Sequence, residues 1–414
     1  MDMLIKNIKQ LVTPLGNKAK KGRDMKKLLI KNNIDMLIRN SVIREIDYSI
    51  DLPGDFEGSV ITADELVATP GFVDPHTHIP FYGMRFEEFF LREKGADYMA
   101  IMEAGGGIVS TTRAVREAAL DELVRFNSRF VKEMFEKGIV AFEGKSGYGL
   151  DTETEIKQLK ALFKLEELCP QKIVKTFLGP HALPPEYSDY QAYMDHVNSE
   201  MLHQVKEAFD EPLFADIFCE KGVFTLEQSR EYIKTAKKLG FDIRLHADEI
   251  AYLGGSELGA GEGARSVDHL IAITDEGIQA LSGSDTIATL LPGTSFFLGK
   301  PYAPARKIID ADVAVALASD FNPGSCTIND PTFIAYLAVD RLKMEPEEIL
   351  TAMTLNAAAS LKLADEWGSL ETGKLAGVLL WDIPDYRAVP YFPSHNMIDT
   401  VISPEKVMKL KGCV

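Results

Sequence analysis

Two histidines separated by one residue are the first feature of this sequence that suggests chemistry. His76 and His78 lie in the motif DPHTH at residues 74–78, directly after an apolar run. Side chains two apart in an extended segment point to the same side, so both imidazoles can bind one metal ion. His246 and Asp320 also follow runs suited to an inner barrel strand. Three imidazoles and one carboxylate suit Zn²⁺ or iron with room for a water; the alternative is four unrelated polar side chains that are satisfied by backbone hydrogen bonds.

Hydrolysis at such a metal also requires groups that accept and return protons. A bound cation lowers the pKa of its water toward neutrality and polarises a nearby carbonyl group. Glu249, three residues after His246, and His269 are suitable acid–base groups. The alternative for Glu249 is a carboxylate at a helix N-terminus, where the helix dipole stabilises it.

An arginine close to the paired histidines suggests how an anionic substrate is held. Arg85 lies seven residues after His78, in the loop that follows the same apolar run. Its planar fork can grip a carboxylate with two parallel hydrogen bonds. The alternative is a surface salt bridge to Glu87 or Glu88.

The glycines at 105–107 lack the sequence context of a phosphate-binding loop, so a flexible loop over the site is favoured there.

Residues 67–360 alternate short apolar runs with longer amphipathic segments, the pattern of strand–helix units around a parallel sheet. We predict eight strands, at 72–76, 139–143, 173–178, 214–219, 243–246, 266–269, 287–291 and 313–318. Helices are predicted between most of them, for example at 120–136, 154–167, 226–239 and 346–359. Eight such units match a (β/α)₈ barrel, whose active site forms at the C-terminal ends of the strands. A doubly wound open sheet is the alternative architecture.

The histidines support a barrel with its site at that end. Five of the eight lie at or just after predicted strand ends, namely His76, His78, His181, His246 and His269. The other three are expected to be surface or structural residues, namely His196, His203 and His395.

Both ends of the chain are rich in β-type runs. Before residue 67, short apolar runs are separated by turn residues, at 28–30, 36–38 and 42–43. After residue 360 the same texture returns, with a predicted strand at 378–381. We therefore predict an α/β protein in which a TIM-type barrel, residues 67–360, is inserted in a small β-sandwich domain built from residues 1–66 and 361–414.

The composition excludes several classes of protein. With 414 residues, 46% hydrophobic and 26% charged, the chain is unlike a disordered, collagen-like or coiled-coil protein. The net charge of −17 argues against a nucleic-acid partner, and an anionic substrate would need a locally cationic site. The four cysteines are dispersed, and no long apolar run or signal-peptide core is present. These features predict a cytoplasmic protein with no membrane partner.

Several motifs together resemble a known family. Residues 69–78, TPGFVDPHTH, are similar to the start of the barrel in the amidohydrolase superfamily, metal-dependent hydrolases of C–N bonds. Five further motifs, which occur in the same order as in the imidazolonepropionase family, narrow the resemblance to that family of the superfamily. They are EAGGGI at 103–108, KSGYGL at 145–150, GPHA at 179–182, DIFCE at 216–220 and DFNPGS at 320–325. The resemblance extends from about residue 5 to 400, and the tail after about Val401 departs from it.

The resemblance implies a reaction and roles for particular residues. The reaction is hydrolysis of 4-imidazolone-5-propanoate to N-formimidoyl-L-glutamate in histidine degradation. The implied ligands of one metal ion per chain, Zn²⁺ or iron, are His76, His78, His246 and Asp320. The implied substrate contacts are Arg85 on the propionate, Tyr148, His181, Glu249, Asn322, Gly324 and Ser325. Glu249 and His269 match the groups around the attacking water, Ser325 replaces a common threonine, and relatives are commonly homodimers.

The expected mechanism is attack of a metal-activated water on the ring carbonyl. Asp320 would help to move a proton to the departing ring nitrogen. Members of the superfamily with two metals commonly bridge them with a modified lysine at the end of the fourth strand. Here that strand ends in Cys219 and Glu220, which favours a single metal, although Lys145 and Lys221 are nearby in sequence and leave the point open. The alternatives are a purine or pyrimidine aminohydrolase of the superfamily and a non-catalytic scaffold, which would generally lack part of the metal set.

Overall fold

The computed structural model describes residues 1–52, 54–95, 106–211 and 213–411. Its strands, in chain order, are β1 Met3–Pro14, β2 Leu28–Arg39, β3 Val42–Asp47, β4 Ser59–Thr62, β5 Val67–Pro70, β6 Phe72–Asp74, β7 Ile139–Lys145, β8 Lys172–Phe177, β9 Phe214–Ala215, β10 Phe218–Cys219, β11 Asp242–Ala247, β12 Ser266–His269, β13 Ile287–Leu290, β14 Val315–Leu317, β15 Val378–Trp381, β16 Ile398–Ile402 and β17 Val407–Lys409.

The helices lie mainly between the strands from β6 to β15. They are α1 Phe86–Glu93, α2 Ile108–Glu117, α3 Leu120–Glu136, α4 Thr152–Leu168, α5 Tyr190–His196, α6 Leu202–Ala208, α7 Leu226–Lys238, α8 Gly255–Gly261, α9 Asp275–Ser282, α10 Pro292–Leu298, α11 Ala305–Asp310, α12 Pro331–Asp340, α13 Pro346–Met353 and α14 Leu355–Ser360. A π-helical turn, Val197–Met201, joins α5 to α6, and 3₁₀ turns occur at Gly22–Lys26 and Tyr386–Ala388. Among the described residues, none of the helices is long and apolar enough to cross a membrane.

Strands β6 to β14 form a parallel barrel. Their order in the sheet follows their order in the chain, with the fourth position shared by the short strands β9 and β10. In a doubly wound sheet the strand order reverses at a switch point. The order here is continuous from β6 to β14, so that alternative is wrong. The ends meet through backbone hydrogen bonds from His78 to Phe321 (2.9 Å) and from Asp320 to His76 (3.0 Å). Strands occur at all eight predicted positions, with shifts of a few residues at their ends, but the fourth, predicted at 214–219, is divided into β9 and β10.

The remaining strands form a second, mixed sheet, which we call the terminal sheet. Its order is β17-β16-β15-β5-β1-β2-β3, with β4 paired to β1, so both ends of the chain contribute. Side chains alternate between two cores, as a strand requires. Val378 and Leu380 pack in the core of the terminal sheet, whereas Leu379 and Trp381 pack in the core of the barrel. The predicted fold class, a barrel inserted in a β unit from both termini, is confirmed; the domain bounds remain a prediction.

Two predicted local features differ from the structure. The runs at 28–30 and 36–38 belong to one strand, β2, and Asn33 continues it with a φ of 52° rather than ending it. Asparagine tolerates this left-handed conformation. The helix predicted at 346–359 is divided into α13 and α14 by Thr354, whose φ and ψ are −125° and −87°. Neither glycine nor proline marks this break in the sequence.

Trp381 connects the terminal sheet to the first barrel strand, and its removal should destabilise the protein. Its ring packs on Phe72 at 5.7 Å between centroids, and its Nε1 donates to the hydroxyl of Thr69 at 2.8 Å. Trp381→Ala should lower the free energy of unfolding by about 3–5 kcal/mol. Trp381→Phe, the matched variant that keeps an aromatic ring, should lower it by about 1–2 kcal/mol. Urea unfolding followed by far-UV circular dichroism measures both, and a wild-type midpoint for the alanine variant would contradict the prediction.

Candidate active site

Four side chains from three parts of the barrel converge at its C-terminal end. His76 and His78 follow β6, His246 lies in β11, and Asp320 follows β14. Nε2 of His78 is 3.3 Å from Nε2 of both His76 and His246. Oδ1 of Asp320 is 3.4 Å from Nε2 of His78 and 3.6 Å from Nε2 of His76. Barrel closure therefore brings ligand atoms of His76, His78 and Asp320 within 4.8 Å of one another, and His246 adjoins them through Nε2 of His78.

The spacing of these atoms fits a metal ion. Ligand atoms at about 2.0–2.1 Å from a tetrahedral ion lie about 3.3–3.4 Å from one another. Among the residues that the structure describes, none is hydrogen-bonded to the buried Oδ1 of Asp320, whereas its Oδ2 accepts from the Thr294 hydroxyl. A buried carboxylate oxygen without a donor, facing imidazole nitrogens, is the arrangement a cation would satisfy.

Buried carboxylates lie behind two of the histidines. Oδ2 of Asp268 is 2.6 Å from Nδ1 of His76, and Oδ2 of Asp216 is 3.0 Å from Nδ1 of His246. A carboxylate that accepts the Nδ1 proton leaves Nε2 with a free lone pair and fixes the orientation of the ring. In both residues the Nε2 atom is the one directed at the shared point.

These two carboxylates belong to a fully buried charge cluster, which consists of Glu143, Lys145, Asp216, Arg244 and Asp268. Arg244 is 3.0 Å from Asp268 and 3.1 Å from Glu143. Lys145 is 2.6 Å from Glu143 and 2.8 Å from Asp216. Three carboxylates against two cations leave one negative charge, and Asp320 adds a second. A divalent cation at the ligand set would balance both charges, because unpaired buried charges are strongly unfavourable.

The protonation states suit metal binding. Burial lowers the pKa of His76 well below its usual value, and the nearby Lys145 charge adds to the effect. Burial lowers the pKa of His246 to about 4, against the opposing effect of Asp216. Burial alone would raise the pKa of Asp320, but the nearby His78 and His269 rings and the hydrogen bond from the Thr294 hydroxyl hold it at about 2. At neutral pH the two imidazoles are thus neutral and the carboxylate is ionised, the forms that bind metals.

His269 and Glu249 lie beside the ligand set. A ring nitrogen of His269 comes within 4.8 Å of ligand atoms of His76 and His246. Its Nε2 is 3.6 Å from Oε2 of Glu249, and neither ring nitrogen has a hydrogen-bond partner in the described part of the chain. His269 and Asp320 adopt left-handed backbone conformations, with φ of 80° and 55°. Such strain, of order 1–3 kcal/mol per residue, is typical of functional sites.

The loop after β11 fixes the position of Glu249. The carboxylate of Glu220 accepts backbone hydrogen bonds from Glu249 (3.0 Å), Ile250 (2.9 Å) and Ala251 (3.1 Å). Helix α8 begins only at Gly255, so Glu249 is not at a helix N-terminus. Burial raises the pKa of Glu249, partly opposed by the charge of His269 and reinforced by that of Asp320. Its carboxyl group is therefore easier to protonate than an ordinary glutamate.

Tyr148 and His181 complete another wall of the site. The His181 ring stacks on His78 at 5.1 Å between centroids, and its Nδ1 is 2.8 Å from the Gly147 carbonyl oxygen. Tyr148 is 5.5 Å from the His181 ring. Burial raises the pKa of the Tyr148 phenol, so it stays protonated and keeps a hydrogen to donate, although the charge of Arg85 opposes this shift.

Arg85 and the loop after β14 face each other at the remaining side. Arg85 makes an ion pair with Glu88 at 2.7 Å, the contact that sequence analysis gave as its alternative role. An ideal Cβ at Gly324 would lie 2.2 Å from Nη1 of Arg85, so a larger residue here would require the Arg85 side chain to move. The side chain of Asn322 closes the loop, because its Oδ1 accepts from the backbone amides of Gly324 (2.8 Å) and Ser325 (2.7 Å).

Several residues important to this geometry were not selected from the sequence. Arg244 and Asp268 lie inside predicted strands, where a polar residue carries no distinctive spacing. Asp216 and Glu220 appeared only as letters in the family motif at 216–220. One signal was available for Asp268: it is a charged residue inside a predicted strand, directly before His269, a candidate acid–base residue. The predicted loop at 105–107 is covered only in part, because residue 105 lies outside the described residues.

Comparison with solved structures shows the fold. An adenosine deaminase from Xanthomonas campestris with bound zinc matches with a TM-score of 0.74 at 16% identity, covering 98% of this chain and 92% of that one. An atrazine chlorohydrolase from Arthrobacter aurescens in complex with zinc matches with a TM-score of 0.71 at 14% identity, covering 98% and 94%. At these identities the likeness concerns architecture alone.

Comparison with curated sequences is more specific. An imidazolonepropionase from Kosmotoga olearia is 46% identical over 408 residues, which cover 99% of this chain and 98% of the relative. Imidazolonepropionases from Parabacteroides distasonis and Clostridium tetani are 44% and 41% identical, with at least 97% of each chain covered. The sequence profile of the amidohydrolase family matches residues 67–408. The chain therefore belongs to the amidohydrolase family and, within it, to the imidazolonepropionases.

Proposed function

We propose that this chain hydrolyses 4-imidazolone-5-propanoate to N-formimidoyl-L-glutamate, a step of histidine degradation. The observation that carries the proposal is the clustering of His76, His78, His246 and Asp320 beside Glu249 and His269 at the barrel mouth, in a chain that belongs to the imidazolonepropionases. The architecture alone would not favour this reaction over those of other barrels.

The first part of the proposal concerns the metal. His76, His78, His246 and Asp320 would hold one ion per chain, Zn²⁺ or iron, which suit this ligand set about equally. When bound, such an ion lowers the pKa of a coordinated water and polarises a carbonyl oxygen. The ammonium of Lys145, buried against Glu143 and Asp216, supports a single ion, because it would repel a second cation nearby.

The second part concerns the protons. Glu249 would accept the proton of the attacking water, and His269, 3.6 Å from it, would orient the pair. Asp320 would help to pass a proton to the ring nitrogen as the C–N bond breaks. The raised pKa of Glu249 supports this role, since a stronger base removes a proton from water more readily.

The third part concerns the substrate. Arg85 would bind the propionate group through charge-assisted hydrogen bonds. Tyr148 and His181 would contact the ring, and the loop formed by Asn322, Gly324 and Ser325 would contact substrate or product. The positive charges of the metal and Arg85 in one cleft would attract a small anion to a chain whose net charge is −17.

The proposal also includes the setting of the enzyme. We propose a cytoplasmic homodimer that acts on a small anionic substrate, with neither nucleic acid nor a membrane as a partner. We also keep the predicted division into a β domain, residues 1–66 with 361–414, and a barrel domain, residues 67–360.

The reaction is tested by incubating the purified, metal-restored protein with 4-imidazolone-5-propanoate and following the loss of imidazolone absorbance. The aminohydrolase alternative is tested in parallel by measuring ammonia release from purines and pyrimidines. Turnover of the imidazolone without ammonia supports the proposal. Absence of turnover with metal restored would refute the assigned reaction.

His246→Ala should remove most of the bound metal, because the variant loses one of three imidazole ligands. Elemental analysis of metal per chain measures the effect. His181→Ala is the matched control, since it removes an imidazole from the same cavity that is held by the Gly147 carbonyl group rather than by the ligand set. Equal metal contents in both variants would count against His246 as a ligand.

Arg85→Met should raise KM about 100-fold with a smaller effect on kcat, because it removes the charge-assisted hydrogen bonds to the propionate. Steady-state kinetics measures the change. Arg113→Met, which replaces an exposed arginine on α2, is the control and should keep wild-type kinetics. Unaltered KM in the Arg85 variant would refute the carboxylate-binding role.

The pH dependence of kcat/KM should reflect the protonation of the Glu249 carboxylate. Because its pKa is raised above the usual 4.5, the base becomes protonated, and therefore inactive, at a higher pH than an ordinary glutamate. We expect kcat/KM to fall as the pH decreases through that raised pKa. Glu249→Gln should lower kcat by about 10²–10⁴-fold at unchanged metal content and abolish this dependence. A wild-type acid limb in the glutamine variant would assign the limb to another group.

A further inference from the structure

We propose that Glu88 is a positioning residue for the ligand carboxylate, because it fixes the guanidinium of Arg85 with its Nη1 edge beside Gly324, where an anion would bind. This inference rests on the proposed function, in which Arg85 binds the propionate. Arg85 then has both the ion pair and the carboxylate-binding role, because Glu88 and the ligand would bind to different edges of the same guanidinium.

The first step is the geometry of the ion pair. Nε of Arg85 donates to both oxygens of Glu88, at 3.0 and 2.9 Å, and Nη2 donates to one of them at 2.7 Å. Glu88 therefore occupies the edge formed by Nε and Nη2. A guanidinium has five N–H donors, so, as far as the described residues show, both hydrogens of Nη1 and one of Nη2 remain for another acceptor.

The second step is that Glu88 is itself held in place. Its Oε1 also accepts the backbone N–H of Gly107 at 2.9 Å, just before α2. The side chains of Arg85 and Glu88 are only 17% and 12% exposed. The pair is thus tied to two helices and largely shielded from water, unlike a solvated surface pair, whose contribution is small.

The third step is the direction of the open edge. Nη1 of Arg85 approaches the backbone of Gly324 so closely that an ideal Cβ there would lie 2.2 Å from it. Gly324 lies in the loop that follows Asp320, and Asn322 holds its amide at 2.8 Å. The free donors of Arg85 are consequently beside the loop that carries a proposed metal ligand.

The fourth step is what this fixation does to binding. A free arginine has many rotamers, and ordering them on binding weakens affinity, whereas a side chain ordered beforehand binds without that loss. Glu88 also offsets the charge of Arg85, so attraction of anions in general is reduced. Recognition then depends on two parallel hydrogen bonds at a fixed place, and Glu88 sets how far from the metal a carboxylate must lie.

Binding of two probes that differ only in charge tests this role. We would titrate the Zn²⁺-loaded protein with imidazole-4-propionate and with imidazole-4-propionamide by calorimetry, and take the ratio of their dissociation constants as the carboxylate preference. Glu88→Ala should weaken binding of the acid about tenfold or more and leave binding of the amide unchanged. Glu88→Gln should have an intermediate effect, because its amide oxygen can still accept from Arg85.

Glu87→Gln is the matched control, because it removes the same charge from the neighbouring, exposed position of α1. It should keep the wild-type preference for the acid. Unchanged binding of the amide by the Glu88 variants also verifies that their site is folded, which a merely structural role of Glu88 would not predict.

The outcomes separate this proposal from the proposed reaction. Tighter acid binding in the Glu88 variants would mean that Glu88 competes with the ligand, and an equal loss for both probes would mean a structural role. Either result overturns the proposal, as does a wild-type protein without preference for the acid. If the wild type prefers the acid through Glu88 but does not turn over the imidazolone, the assigned reaction fails and this inference stands.

Discussion

The site depends on the closure of the barrel between its first and last strands. Two of the proposed ligands follow β6 and another follows β14, more than 200 residues later in the chain. The hydrogen bonds from His78 to Phe321 and from Asp320 to His76 join these segments directly. The bonds that close the sheet therefore also set the distance between histidine and carboxylate. If the sheet did not close between β6 and β14, the same ligand residues would be present but would not lie close enough together to bind one ion.

The charge cluster extends this constraint into the barrel interior. Asp268 and Asp216 each orient one imidazole, and Arg244 and Lys145 connect these carboxylates through Glu143. A buried ion network is a weak source of stability, because desolvation of the charges opposes their attraction. Here its fixed geometry aligns nitrogen lone pairs at one point, so we attribute its presence to orientation of the ligands rather than to stability.

The sequence was most informative where a residue type suited to metal binding lies at the end of a predicted strand. His76, His78 and His246 could be recognised because each lies at or just after the end of a predicted strand, and the C-terminal ends of barrel strands have a known position. Thr354 and Asn33 were not interpretable, since their effect depends on neighbours that local propensity does not include. Glu88 illustrates the same limit: spacing allowed its ion pair with Arg85, but only the fold relates the other edge of that arginine to Gly324.

The terminal sheet has a consequence for synthesis of the chain. Strand β5 pairs with β15, which is more than 300 residues further along. At about 5–20 residues per second, a ribosome delivers that partner roughly 15–60 s after β5 has formed. During this interval β5 has one unpaired edge, and edges of this kind promote association with other chains. A nascent chain of this architecture therefore needs protection of that edge until its last strands emerge.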